Sequence, residues 1–584
     1  STAWGTTVRL NEQYTSNVIL LDGGTSTSQR KLQSTQQNHS LILMSPLVKD
    51  LASQVQWTSL VYSDNKSVGL RTATFHSLLG GLEYYPIEFL SLTPLVGYRW
   101  DNQAGVRDRG PSYTLAGQIY GIDMDGYQLT GAAQFHEDRL NPRVLQRHFA
   151  HVGAQKYFSG NTHDSLEIGY RRNRREFYNV ADGNIESRIE NVFSFFNFLN
   201  YELDNNFSAL LFVSVANRSL DKDLRHFSAT PDTVVRFNTA IDEFRLDSYV
   251  GAAYRSDEGG LLGSLRLSHS ERNELHSAKP IPGAPPPIEF LFNKRNKEEE
   301  TKDNLARRTS LTGAMEMALS TSDKLFFSGA ASILRYDTPS EQNVEDRDEL
   351  LVAVSLATTH RISQYLDMGV SVHGNLSHIV YLLKERSANN NYNRVLRLAP
   401  RATYRPLRTI TSTNTFEVLA NYTVYDFEQQ VSSVRSFSYR QFGWIDSSSA
   451  EVTRRIGLDF FSYLKLYERG QLKWSDFSER TENSFVDRTL AAQVRFSPEE
   501  GILFAVGLRY FSQSRYVFNN GVKTLDAYIK SVGPTCLILW DISSYSRLTF
   551  KGWYERRTFS GSQAQPQESS RSLPNLSMNI IISL

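Results

Sequence analysis

Alternation is the feature that most constrains this chain. In its last ten residues, Asn575 to Leu584, the apolar side chains Leu576, Met578, Ile580, Ile582 and Leu584 occupy every second place. Asn575, Ser577, Asn579 and Ser583 stand between them, with Ile581 the one apolar exception. A period of two sends the two sets to opposite faces of a β-strand. In a water-soluble sheet the apolar face meets a core; in a membrane barrel it meets lipid, and the small polar face meets a wet interior. Such a strand also presents an open hydrogen-bonding edge. The partner expected for that edge is the first strand of the same chain, running from about Trp4 to Leu20.

The same two-faced pattern recurs along the sequence. Leu366, Met368, Val370, Val372 and Leu376 alternate with Asp367, Gly369, Ser371, His373 and Asn375, and Ile502, Phe504, Val506 and Leu508 alternate with Leu503, Ala505, Gly507 and Arg509. Phe416, Val418 and Ala420 interleave with Glu417 and Asn421, and Leu166, Ile168 and Tyr170 with Glu167, Gly169 and Arg171. Ile456, Leu458, Phe460 and Leu464 oppose Gly457, Asp459, Tyr463 and Lys465. The second sets combine charge with Gly, Ala and Ser. A dry sandwich core rejects the charge, whereas a water-filled bore accepts both. With mean hydropathy −0.39 the chain has no apolar run of about 18 residues, which excludes helical membrane spans. A barrel wall escapes that test because only every second residue is apolar. Aromatic residues at 12% suffice for interfacial girdles, with Trp4, Trp57, Trp100, Trp444, Trp474, Trp540 and Trp553 mostly near expected strand ends.

Connections alternate in length. Short turns are expected at sites such as Pro46–Ala52, Asp123–Gly126, Leu203–Asn206, Ser256–Gly260, Tyr467–Gln471 and Asp541–Tyr545. Longer polar loops fall between them, among them Gln103–Ser112, Asn217–Phe237, Asn273–Arg307, Lys384–Tyr392, Phe427–Ser449 and Ser560–Ser572. The reading is all-β: a transmembrane antiparallel up-and-down barrel of about 26 strands, with short periplasmic turns and longer extracellular loops. Residues 1–584 form one such domain. Lys279–Phe290, which contains PIPGAPPP and is followed by the charged run Lys294–Asp303, reads as a solvated surface loop, since proline removes ladder donors. An inward-folding lid is the alternative for that loop and for Phe427–Ser449. A barrel of this kind requires export, so a cleaved signal peptide and an outer-membrane location are expected.

Motifs that carry chemistry are sparse. There is one cysteine, Cys536, and neither Cys-x-x-Cys-His, nor a Gly-rich phosphate loop, nor His-Glu-x-x-His. No cofactor is therefore expected in this chain, and any haem belongs to a partner. The acidic string Asn343–Glu349 reads as a solvated loop rather than a calcium site. Strand phase puts His373 on the bore face and His269 and His378 on the apolar face. No base and orienter pair off by spacing, so the chain is not expected to be an enzyme. The bore face is expected to carry Glu167, Arg171, Arg175, Arg266, Glu316, Asp367, His373, Glu417, Asp459, Lys465, Arg509 and Lys530. These hydrate the wall or touch a polar cargo or partner. A net charge of +1 gives no reason to expect nucleic acid.

About 26 strands, some 4.8 Å apart and tilted near 40°, close to a diameter of roughly 50 Å. Such a bore leaks unless something fills it, and strand pattern begins too early in this sequence to leave a plug domain before it. Over nearly its whole length the chain resembles large Gram-negative outer-membrane barrels. In plan it is closest to the barrel of porin–cytochrome electron conduits. That resemblance implies a sheath around a multihaem cytochrome that carries electrons across the membrane. The lipopolysaccharide-assembly barrel, plugged by a lipoprotein, is the other kind with about this many strands; its periplasmic jellyroll and cysteines are missing here. A porin or transporter passing solutes or a polymer through a loop-narrowed bore is the further alternative. Leu584 replaces the usual terminal Phe or Trp of such barrels. The expected partners are the outer-membrane bilayer and a bore-filling protein, either cytochrome or lipoprotein.

Overall fold

A computed structural model describes residues 6–21, 30–64, 71–103, 105–159, 162–178, 184–225, 237–282, 288–430, 435–561 and 568–583. Its strands are β1 (Thr7–Leu21), β2 (Arg30–Val48), β3 (Leu51–Asp64), β4 (Arg71–Ile87), β5 (Leu90–Gln103), β6 (Val106–Met124), β7 (Tyr127–Arg139), β8 (Val144–Ser159) and β9 (Thr162–Tyr178). Next come β10 (Ile185–Glu202), β11 (Phe207–Arg225), β12 (Asn238–Arg255), β13 (Leu261–Lys279), β14 (Asn304–Ala318), β15 (Asp323–Asp337), β16 (Arg347–Ser363), β17 (Leu366–Tyr381) and β18 (Asn391–Leu407). The last are β19 (Ile410–Tyr425), β20 (Phe437–Glu451), β21 (Ile456–Lys473), β22 (Ser478–Phe496), β23 (Ile502–Asn519), β24 (Val522–Ser543), β25 (Ser546–Ser560) and β26 (Glu568–Ser583). An α-helix, α1 (Glu289–Glu300), lies between β13 and β14.

Every strand pairs antiparallel with its sequence neighbours, and β1 closes on β26, with Leu10 opposite Ile582 and Tyr14 opposite Met578. The result is a 26-stranded transmembrane barrel of the outer-membrane type. No helix among the described residues is long and apolar enough to cross a membrane, which says nothing of strands. The two faces of the wall differ as a bilayer requires. Val96, Ile168, Val250 and Val506 are 62%, 65%, 54% and 64% exposed, all on the same side of the sheet. So much bare apolar surface is stable only against lipid. The opposite side carries the charge and looks into the bore. Strands of 13 to 22 residues exceed the roughly 10 needed to span hydrocarbon, so the wall continues above the membrane.

Several local expectations change. Gln103–Ser112 is a tight hairpin turning at Gly105 (φ 86°), with Val106 onward in β6. Asn217–Phe237 and Asn273–Arg307 are strand over their outer parts, in β11, β13 and β14. Phe427–Ser449 contains most of β20, which leaves it no inward-folding lid beyond Arg435. The turn expected at Tyr467–Gln471 is a bulge inside β21, where the register shifts between Arg469 and Gly470. A Cβ on Gly470 would stand 2.3 Å from the Arg480 carbonyl oxygen, so the glycine permits strand contact there rather than a reversal. The periplasmic turn falls instead between β20 and β21, where Val452 N–H donates to the Ile456 carbonyl (2.9 Å).

Part of the expected loop Lys294–Asp303 is helical. Its residues are good helix formers, and Arg295 pairs with Glu298 (3.3 Å) and Glu299 (2.5 Å) one turn on. Asn296 ties α1 to β13 by accepting from the Ala278 N–H (3.0 Å). Pro285–Pro287, Trp4 and Leu584 lie outside the described residues. Trp57, Trp100, Trp444 and Trp540 share the lipid-facing set by register, while Trp553, opposite Thr535, faces inward.

Candidate functional site: the bore wall

Antiparallel register carries one face from strand to strand, so the bore side can be followed around the wall. Glu167 stands opposite Gly153 and Phe196, and has no ion pair among the described residues. Arg171 lies 3.7 Å from Glu190, and Arg175 faces Arg188 across the rung. Arg266 stacks 4.2 Å over the Tyr249 ring. Glu316 takes Lys324 at 3.3 Å, and Asp367 sits between Arg361 (3.4 Å) and Arg405 at the periplasmic end. His373 is flanked by Ser355 and Arg397, and Arg397 donates to Glu417 (2.6 Å), which also accepts from Gln441 (2.7 Å).

Further round the wall, Asp459 accepts from Arg495 (2.7 Å) and Gln493 (2.7 Å). Lys465 lies 4.5 Å over Tyr467, and Arg509 stands 3.5 Å from Glu555. Lys530 is a correction. It is opposite Ser512 and shares its face with Val532, Cys536 and Ile538, the lipid-facing set. Apolar residues occupy both faces of β24, with Ile529, Leu537 and Leu539 turned inward, so phase misleads there. A long lysine at the upper edge of the belt reaches water by extending along the wall.

These residues do not converge on one pocket. His373, Arg397, Glu417 and Gln441 form a chain across β17 to β20, and the others are spread round the circumference. A second chain, absent from the sequence-based expectations, runs across the upper wall. Arg218 joins Glu190 (2.6 Å) to Glu243 (2.8 Å), Arg272 reaches Glu243 (2.9 Å), and His276 meets Glu274 (2.8 Å). Arg218, Glu274 and His276 fell in segments read as loops, which assigned them no face. Their sequence signal is charge at every second residue, as in Glu243, Arg245 and Asp247.

A buried cluster tops the short β7–β8 hairpin. Arg143 is wholly buried and donates to Asp101 (2.9 Å), Asp108, Gln103 (3.0 Å) and the Glu176 carbonyl (3.2 Å). Burial works against its charge, but the bond to Asp108 and the nearby Asp101 outweigh it and hold the guanidinium pKa above its ordinary value. Below it, His136 lies 2.8 Å from the Thr114 hydroxyl and 3.3 Å from Asp138. Asp138 is also held by Ser112 (2.6 Å) and Arg99 (2.8 Å), so this trio is braced into the wall. The acidic string around Asn343 is likewise internally paired: Asp346 accepts from the Thr338 N–H (2.7 Å), Glu349 from Arg347 (2.7 Å) and Glu345 from Arg386. Among the described residues no group of His, Cys, Asp and Glu is placed to hold a metal ion.

Charge on the bore face is unevenly satisfied. Arg147, Arg175, Arg266, Arg308 and Arg401 have no ion pair among the described residues, and of the acids within the middle of the wall Glu167 and Asp487 have none either. Between Arg266 and Arg397 a shallow trough of about 570 Å³ is floored by Thr312, Ala314, Ser328, Ala330 and Ala353. All the described residues belong to the wall, its turns or its rim, and no described strand packs against the far side of the bore.

No family model matches the sequence, and no curated protein matches it. Among solved structures it is similar to the alcaligin outer-membrane receptor FauA from Bordetella pertussis, at 8% identity over 90% of this chain and 85% of that one, with a TM-score of 0.43. The ferric preacinetobactin receptor BauA from Acinetobacter baumannii gives 9% identity over 98% and 80%, with a TM-score of 0.42. The copper transporter OprC gives 9% over 97% and 80%, with a TM-score of 0.38. Likeness this slight assigns no function, and it lends the porin–cytochrome resemblance no support.

Proposed function

We propose that the protein is a wide outer-membrane conduit that passes polar cargo through a bore narrowed by a second body. The carrying observation is the bore itself: a closed ring of 26 strands whose described residues are all wall or rim. A ring of this strand number is wider than porins of about 16–18 strands, which already leave an aqueous channel. A filling body drawn from outside the described residues follows from the need to keep the membrane sealed. Unpaired arginines along the bore suit an anionic cargo or an acidic face on that body.

A multihaem cytochrome in the bore remains a second reading, in which the cargo is electrons. It draws on the strand number and on a bore that needs an occupant. Purification in mild detergent separates the two. Haem absorbance co-migrating with the barrel supports the electron conduit. A colourless complex, together with solute-dependent conductance once the occupant is removed, supports passage of solutes. A large steady conductance from the undisturbed native complex would overturn the filled bore in both versions.

A further inference from the structure

On the lipid-facing side, β1 to β4 break the apolar pattern. Glu12, His39, Ser59 and His76 stand directly opposite one another on successive strands, forming one polar rung across the wall. Glu12 takes Gln37 at 3.0 Å and lies 3.7 Å from His39. The Ser59 hydroxyl is 2.8 Å from His76 Nδ1. His39 Nε2 is enclosed and has no hydrogen-bond partner among the described residues. At the other end of the rung, Glu12 is opposite Ile580 of β26, whose outward residues Leu576, Met578 and Ile580 are wholly apolar.

The polar group is no island. Above the rung the outward positions continue as Tyr14 and Ser16 on β1, with Val18 beyond them, and as Gln37, Thr35 and Gln33 on β2, so the apolar belt below shrinks to Val8 and Leu10 on β1 and Leu41 and Leu43 on β2. A second polar spot on the lipid side is different in kind: Asp446 is buried, and its oxygens accept from Ser412 (3.1 Å) and Ser448 (2.9 Å), so nothing is asked of the surroundings. The Glu12–His39 rung is not closed in this way, and it opens upward toward the extracellular side.

We propose that this face is a polar bay, filled by outer-leaflet lipid headgroups and their water down to the rung of Glu12 and His39. The hydrocarbon is correspondingly thin beside the closing β1–β26 seam. Two observations choose this occupant over a second protein. The bay is continuous with the headgroup level, where water and headgroups already are. It also spans only about 20 Å across four strands and about 13 Å along them, far short of the roughly 800 Å² per partner of a stable protein interface. The inference is independent of whatever fills the bore.

The test is collision accessibility of spin labels on the full chain in lipid nanodiscs, with Cys536→Ser removing the native thiol. Gln37→Cys and Phe550→Cys lie on one rung, joined through Tyr14 and Met578, yet only the first is in the bay. A water-soluble nickel chelate, relative to oxygen, should relax the label at 37 several-fold more than the label at 550. Oxygen-dominated relaxation at both sites would mean ordinary hydrocarbon and overturn the bay. Shielding of site 37 from both reagents would mean a seated protein and overturn it equally. A further pair of substitutions, Glu12→Leu with His39→Leu, should lower the nickel effect at 37; an unchanged effect would show that these residues do not hold the bay open.

Discussion

Arg143 Nη2 lies 2.9 Å from Asp101 Oδ1 across the top of a hairpin that stops short of its neighbours. β7 and β8 end at Arg139 and Val144, while β6 and β9 rise beyond them. The guanidinium fills the gap that this leaves, and Tyr178 closes it by donating to Asp108 (2.8 Å) beneath a ring 5.0 Å from Arg143. Arg143→Ala would leave the buried Asp108 without its cation and Asp101 with Arg99 (3.0 Å) alone. Removing one partner from such a set costs about 3–5 kcal/mol, because the remaining charge stays desolvated. Urea unfolding in detergent should show that loss. Arg143→Ala combined with Asp101→Asn and Asp108→Asn should recover a good part of it, since the uncompensated charge is then gone.

Face assignment makes a separate prediction about ions. Arg266 and Arg401 are exposed on the bore face with no ion pair among the described residues. Lys530 lies on the other face. In a barrel freed of its occupant, Arg266→Glu with Arg401→Glu should move the reversal potential in a salt gradient toward cation preference, because local fixed charge sets counter-ion concentration in a bore. Lys530→Glu, the same change in sign, should leave the reversal potential where it was. An equal response from Lys530 would place that side chain in the bore.

What the sequence revealed follows the physics of each stretch. β17 and β26 were legible because lipid meets one face and water the other, so alternation is clean. The upper wall was not, since both faces there meet water: Arg172, Arg174 and Glu176 stand on the lipid-side phase of β9, above Leu166, Ile168 and Tyr170. β20 hid for a related reason, with Tyr439 and Gln441 inward and Ser438 and Arg440 outward. Gly470 looked like a turn because glycine marks turns and bulges alike. The strand number nevertheless came out right, because several periplasmic turns carry Gly and Asp at positive φ, as at Asp50, Asp125, Gly126 and Gly501. The buried Arg143 cluster gave no local signal, since its members come from residues 101 to 176 and meet only when the wall is assembled.

Asp303 lies outside the membrane-spanning strands, between α1 and β14, and its pKa is raised above the usual carboxylate value, by burial first and by Glu300 and Glu274 as well. The His276 N–H donates to it (2.6 Å), which works the other way. A carboxyl raised in the folded state favours the folded rim while it is neutral. That contribution is present below the unfolded pKa of about 3.9 and is lost as pH rises through the raised value. Amide-exchange protection of α1 and of His276 should therefore fall as pH rises through this window, beyond the intrinsic change in exchange rate. Asp303→Asn keeps an acceptor for His276 and should flatten the profile.

The closing seam can be tested by chemistry that depends on register. Thr15 of β1 is opposite Ser577 of β26, both on the bore side, while Leu576 next to it points to lipid. Directly opposed antiparallel residues have Cα atoms about 4.5–5.5 Å apart, within the range of roughly 4.4–6.8 Å that a disulfide bridges. Thr15→Cys with Ser577→Cys, in a Cys536→Ser background, should oxidise and give a cross-linked ring of altered gel mobility that reductant reverses. Thr15→Cys with Leu576→Cys should not, because a one-residue slip sends the two thiols to opposite faces of the wall. Efficient cross-linking of the slipped pair would mean a different register at the seam. Failure of both pairs would mean that β1 and β26 are not joined as neighbours, and the closed bore, with everything inferred about its filling, would fall with them.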